Sequence, residues 1–197
     1  MAQAIGIATE DALSEAVVEK MLNYAPIEFN VVLKQRKRGS GYLKKQVRKF
    51  NAIANSYPVL LLTDLDRVVC ASELKKSWLT IPQNPKFLFR VAVREVESWL
   101  LADREAISQF LNISISICPG SPDDILDPKQ ALINLAKKSK RREIKQDMLP
   151  AKGSLSPVGL GYNARLSDFV WNYWNVDRAI VRSDSLNRAW KSVCALK

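Results

Sequence analysis

The sequence predicts an α/β protein: a mainly parallel sheet of about four strands flanked by helices, then a C-terminal helical subdomain. Three observations predict it. Short apolar, β-branched runs alternate with helical periodicity through the first 112 residues. One of these runs, VLLLTDLD, is unbroken enough to be buried on both faces, as parallel strands are. Beyond residue 112 helical segments dominate. The expected division is therefore 1–112 for the sheet domain and 113–197 for the helical one.

The elements follow in order. Ala4 to Ala8 is a short apolar run, and in TEDALSEAVVEKML the residues Leu13, Val17, Met21 and Leu22 recur at helical spacing behind Thr9. Phe29 to Leu33 reads as a second strand, broken by RGSG at 38–41, after which YLKKQVRKFNAIA is helical. VLLLTDLD is the third strand, Ala71 to Leu79 a short helix, and Lys86 to Val93 the fourth strand. REVESWLLADREAISQFL reads as one long helix with Val96, Trp99, Leu100, Ile107 and Leu111 inward. ISISICPGSPDDILDP begins strand-like and becomes a Pro-rich connection. Helices are expected at Lys129 to Met148, Ala164 to Trp174 and Val176 to Leu196, with PAKGSLSPVGLGYN as a loop. The five tryptophans fall at apolar helix positions and read as packing residues.

Composition narrows the chemistry. Hydrophobic residues at 47% and charged residues at 25% are the balance of a globular chain. Cys70, Cys118 and Cys194 are odd in number and far apart, which fits a reducing compartment. The N-terminus lacks the pattern of a signal peptide and no run is long enough to span a membrane, so a cytoplasmic protein without membrane association is expected. There is no histidine. A Ser-His-Asp or Cys-His nucleophile is thereby excluded, as is any zinc site that needs imidazole. Hydrolysis would fall to carboxylates, lysines, tyrosines or metal-activated water.

Acids cluster where a parallel sheet binds its ligands, beyond the carboxyl ends of the strands. The first strand runs into Glu10 and Asp11, the third into Asp64 and Asp66, and the fourth leads to Glu95 and Glu97. In a strand, residues i and i+2 share a face, so Asp64 and Asp66 would address one ion together. All-oxygen donors suit Mg²⁺ or Mn²⁺. Each acid also has a structural reading: Glu10 and Asp11 at a helix N-terminus, Asp66 in a turn, Glu97 in an ion pair with a surface arginine.

The segments IGIATEDALSEAVV, LLLTDLDRV and REVESWLLAD together resemble the Toprim fold of OLD-type nucleases and of a related family of small bacterial proteins. GYNARLSDFV and SDSLNRAW extend the resemblance over nearly the whole chain. The resemblance implies Asp64, Asp66 and Glu97 as ligands of Mg²⁺ or Mn²⁺, with Glu10 as ligand or base. In the first motif of that family a Glu precedes a Gly and a second acid stands four positions later. Laid on this chain, Glu10 matches the second acid and Gly6 stands where the first would be. The resemblance further implies nuclease activity beside an ATPase partner in defence against phage.

The net charge of +10 favours polyanions. Residues 34–49 hold eight basic side chains and no acid, and residues 137–145 hold six with one Glu. Lys34, Arg36, Lys37, Arg38, Lys44, Lys45, Lys137, Lys138, Arg141 and Arg142 are therefore candidate contacts to DNA or RNA, as are Arg165 and Arg188 further on. A solvated helix face explains such runs equally well. The leading expectation is a divalent-metal-dependent nuclease. Its rival is a module of the same fold that binds nucleic acid or an ATPase without cutting. A homo-oligomer is compatible with either.

Overall fold

The computed structural model describes residues 2–36 and 39–196. Its chain divides into two compact units, Met1–Val93 with Ser185–Lys197, and Arg94–Asp184. The division differs from the one expected at residue 112. Helical periodicity continues across residue 93, and no local pattern reveals that the last helix belongs with the sheet.

The first unit holds an all-parallel four-stranded sheet in the order β2-β1-β3-β4. The strands are β1 (Gln3–Thr9), β2 (Phe29–Gln35), β3 (Val59–Asp64) and β4 (Phe87–Ala92). They are joined by α1 (Ala12–Tyr24), α2 (Gly39–Ile53) and α3 (Ala71–Trp78). Parallel neighbours require crossovers, and right-handed crossovers in opposite directions from β1 put α1 and α2 on opposite faces. Leu43, Val47 and Phe50 of α2 pack with Ala8, Leu61, Phe87, Phe89 and Val91 in one buried cluster that also takes Leu74 of α3. The alternate strand residues Ile5, Ile7, Leu60 and Leu62 are buried too and point to the other face. The central strands are thus apolar on both sides, which is why β3 reads as an unbroken run.

Two local devices fix where β1 leads. Asp11 caps α1, its carboxylate accepting the Ser14 amide at 2.8 Å. The Gly39 amide donates to the Glu10 carbonyl at 3.2 Å, so the start of α2 is tied to the end of β1. Gly39 has φ +67, a left-handed conformation that glycine adopts without strain.

The second unit is helical: α4 (Val96–Ala102), α5 (Arg104–Leu111), α6 (Pro128–Lys137), α7 (Arg142–Met148), α8 (Tyr162–Asn172) and α9 (Val176–Ile180). The single helix expected over 94–111 is two, because Asp103 ends α4 and caps α5, accepting the Ala106 amide. The helix expected over 129–148 is likewise broken, between Lys137 and Arg142; there buried Ser139 donates to the Leu111 carbonyl at 2.6 Å. The strand-like ISISIC forms a short 3₁₀ turn at Ile115–Ile117 instead, with both isoleucines exposed. The last expected helix divides into α9 and α10 (Asp184–Cys194), and from Ser185 onward α10 belongs to the first unit. Trp99 and Trp174 are buried as expected, whereas Trp171 is exposed. Among the described residues no helix is long and apolar enough to cross a membrane.

Candidate functional site

In the order β2-β1-β3-β4 the chain leaves β1 toward one edge and returns to β3 on the other side, so the switch point lies between β1 and β3. Ligands of open parallel sheets bind beyond the strand ends at this place. Glu10 is the first residue past β1 and Asp64 is the last of β3. The structure brings them together across the switch point. The Asp64 amide donates to Glu10 Oε1 at 3.0 Å, and the Thr63 hydroxyl donates to the same oxygen.

These contacts set the proton affinity of Glu10. Burial raises its pKa above the ordinary carboxylate value, the hydrogen bonds from Thr63 and Asp64 oppose the rise, and the negative charges of Asp66 and Asp11 add to it. Gly6, where the family resemblance would put the first acid, lies inside β1 paired with Leu33 and Val59. A Cβ there would stand 3.3 Å from the Tyr57 ring and 3.4 Å from Leu33. A carboxylate at that position would be enclosed within the sheet layer. The acid at the end of β1 is Glu10.

Asp64 and Asp66 share a cleft of about 210 Å³ with Ser40, Gly41 and Lys44, closed on its apolar side by Leu65, Val68, Leu74 and Trp78. The shared strand face expected of Asp64 and Asp66 is not what brings the two acids together. β3 stops at Asp64, Leu65 is buried, and Asp66 turns the chain with φ +50, a left-handed conformation open to Asp. The turn therefore sets the second carboxylate on the cleft wall. Opposite stands the first turn of α2, whose dipole favours an anion, with the exposed Lys44 one turn further on. One cleft thus combines two carboxylates with a phosphate-favouring helix end.

Glu97 lies in the second unit, at the start of α4, with only 2% of its surface exposed. Its partners there are the Tyr162 hydroxyl, which donates at 3.2 Å, and Lys129 Nζ at 3.6 Å. Lys129 also approaches Glu95, at 3.5 Å from its Nζ and 3.1 Å from its amide. A lysine and a buried tyrosine thus stand beside Glu97. Burial and the neighbouring acids, Glu97 first among them, push the Tyr162 hydroxyl far above its usual pKa, so it stays a neutral donor. Neither Lys129 nor Tyr162 stands at a spacing from Glu97 that a periodic pattern could reveal.

The basic candidates separate by environment. Lys34 pairs with Glu19, Arg36 with Glu15 at 2.7 Å, and Arg165 with Asp147 at 2.6 Å, so these three are tied into their own units. Lys37 and Arg38 lie outside the described residues. Lys44, Lys45, Lys137, Lys138, Arg142 and Arg188 are exposed, and Arg141 is half-buried ahead of α7. Among the described residues no group of three or more acids and cysteines is gathered to hold a metal ion. A Mg²⁺ site does not require one, because that ion keeps several waters and is commonly held by one or two carboxylates plus substrate phosphate. Asp64 and Asp66 in an open cleft fit that pattern.

Residues 8–160 match the family described as Domain of unknown function (DUF4276), a span that includes Glu10, Asp64, Asp66, Glu97 and Lys129. No curated protein and no solved structure matches the chain.

Proposed function

The chain belongs to this family, and we propose that it is a divalent-metal-dependent phosphodiesterase cutting DNA or RNA at the cleft beyond β3. The observation that carries this reading is the meeting of Asp64 and Asp66 with the first turn of α2 and Lys44 in one cleft at the switch-point end of the sheet. Asp64 and Asp66 would hold Mg²⁺ or Mn²⁺, which when bound supplies positive charge to a phosphoryl oxygen and lowers the pKa of water. The first turn of α2 and Lys44 would bind and orient the scissile phosphate. Glu10, with its raised proton affinity, suits the taking of a proton from water better than fixed ligation. Exposed Lys45, on the same helix as Lys44, would neutralise a flanking phosphate. Glu97, in the second unit, is engaged there by Lys129 and Tyr162 and has no part in this reading. On the resemblance to OLD-type nucleases, an ATPase protein is the partner and phage defence the setting.

The second reading is a module of the same fold that binds nucleic acid or the ATPase without cutting. One observation favours it: Gly6, inside β1, stands where the family resemblance would put the first acid. Cleavage of plasmid DNA and single-stranded RNA with Mg²⁺ or Mn²⁺ decides between them. The nuclease reading expects metal-dependent cutting that Asp64→Asn/Asp66→Asn lowers roughly 100-fold or more. Salt-sensitive binding without cutting, by the folded wild type with either metal, would favour the second.

A further inference from the structure

The cleft beyond β3 has two unlike walls. On one side stand Lys44 and the first turn of α2, with Asp64 and Asp66 at the strand end. On the other, Val68, Leu74 and Trp78 make an apolar surface that a phosphate and its metal do not need. Leu74 is buried, and Trp78 is half-buried with its ring 5.6 Å from that of Phe89. Core packing accounts for that ring contact. It does not account for the part of Trp78 left exposed at the cleft, nor for Val69, the residue after Val68, which is 79% exposed. The two walls are tied together. Arg48, one turn after Lys44 on α2, donates to the Thr80 hydroxyl just past α3 at 2.6 Å.

An apolar wall with an aromatic ring, facing a cation across a small cleft, matches the two ends of a nucleotide: a flat base and an anionic phosphate. Size narrows the choice. At about 210 Å³ the cleft is below the roughly 300 Å³ at which pockets for drug-sized ligands begin, so it has room for one base and not for a stacked pair. Inside a duplex the neighbours cover both faces of each base, and only its edges are open to the grooves. A base meets an apolar wall with its face only after leaving the stack. A single strand permits this at little cost and a paired one resists it.

We propose that the cleft selects single-stranded nucleic acid, holding one unstacked base against Trp78 and Val68 while its phosphate lies toward Lys44. This rests on the proposed function in one respect, that nucleic acid enters this cleft, and it names the substrate class. Stacking on an aromatic ring tolerates any base, so the selectivity is for strandedness and not for sequence. Trp78 is a substrate-binding residue, and the cutting chemistry stays with the carboxylates.

Fluorescence anisotropy of short labelled oligonucleotides, with Ca²⁺ as the divalent ion, tests it. The probes are a single strand, the same sequence as a duplex, and a single strand of equal length made of abasic units. Wild type binds the single strand roughly tenfold or more tighter than either of the others. Trp78→Leu keeps an apolar side chain beside Phe89 and loses the preference, whereas Trp78→Phe keeps a ring and retains most of it. The abasic comparison needs wild type alone, so it decides even where a Trp78 variant does not fold. Equal affinity with and without bases, duplex binding as tight as single-strand binding, or a full preference in folded Trp78→Leu would each overturn the proposal. Cleavage separates this inference from the nuclease reading. A protein that cuts nothing yet prefers the strand with bases refutes the nuclease and keeps the inference. Equal cutting of duplex and single strand keeps the nuclease and refutes the inference.

Discussion

Glu10 is a carboxylate that folding makes harder to ionise. Burial is the main cause, with Asp66 and Asp11 adding repulsion, while Thr63 and the Asp64 amide hold part of the charge. Its folded pKa is therefore above the unfolded value of 4.5. The contribution to stability is complete below that value and is lost as pH rises through the folded pKa. Glu10→Gln keeps an oxygen that accepts from Thr63 and Asp64 but carries no charge. It is expected to be more stable than wild type at pH 7 to 8, with the difference vanishing below about pH 4.5. Thermal melts across pH measure this, and a variant less stable than wild type at neutral pH contradicts it. At this scale the sequence speaks unevenly. Asp64 and Asp66 are legible because two acids interrupt the end of an apolar run. Thr63, Lys129 and Tyr162 are not, since each meets its carboxylate across more than thirty residues of chain.

Asp103 decides the layout of the second unit's elements. It is fully buried, caps α5, and accepts the Asn175 amide and two Arg178 donors, each at 2.8 Å. The apolar period runs through WLLADREAI without interruption, so the pattern alone reads one helix. The capping role is visible only when Asp103 is asked where its charge goes. Asp103→Ala removes the cap and the partner of Arg178 together. The expected loss is about 3 kcal/mol, somewhat moderated because Arg178 reaches water. Urea unfolding reads it as a lower midpoint, and a loss below about 1 kcal/mol would mean that Asp103 only caps. The same blindness explains ISISIC. Alternation of Ser and Ile satisfies a strand period, yet a strand needs a neighbour, and pairing is not a local property.

For the molecule as a whole, strand and helix alternation was enough to foresee a parallel sheet, because buried parallel strands are apolar on both faces. Strand order was not foreseeable in the same way. It gives β1 and β3 adjacent carboxyl ends and so makes a switch point out of acids distant in sequence. The boundary at residue 93 and the return of α10 to the first unit also escaped, since both are facts of packing. The charge of +10 belongs to this scale, but several of its members are spent on ion pairs within the chain.

The central claim is that Asp64 and Asp66 hold a divalent cation. Its most direct test is Mn²⁺ binding followed by electron paramagnetic resonance, with and without a short oligonucleotide, on wild type and Asp64→Asn/Asp66→Asn. The account predicts bound Mn²⁺ in wild type, strengthened by the oligonucleotide, with affinity reduced roughly 100-fold or more in the double variant. Equal binding by the two proteins, or none by either in the presence of the oligonucleotide, would contradict it.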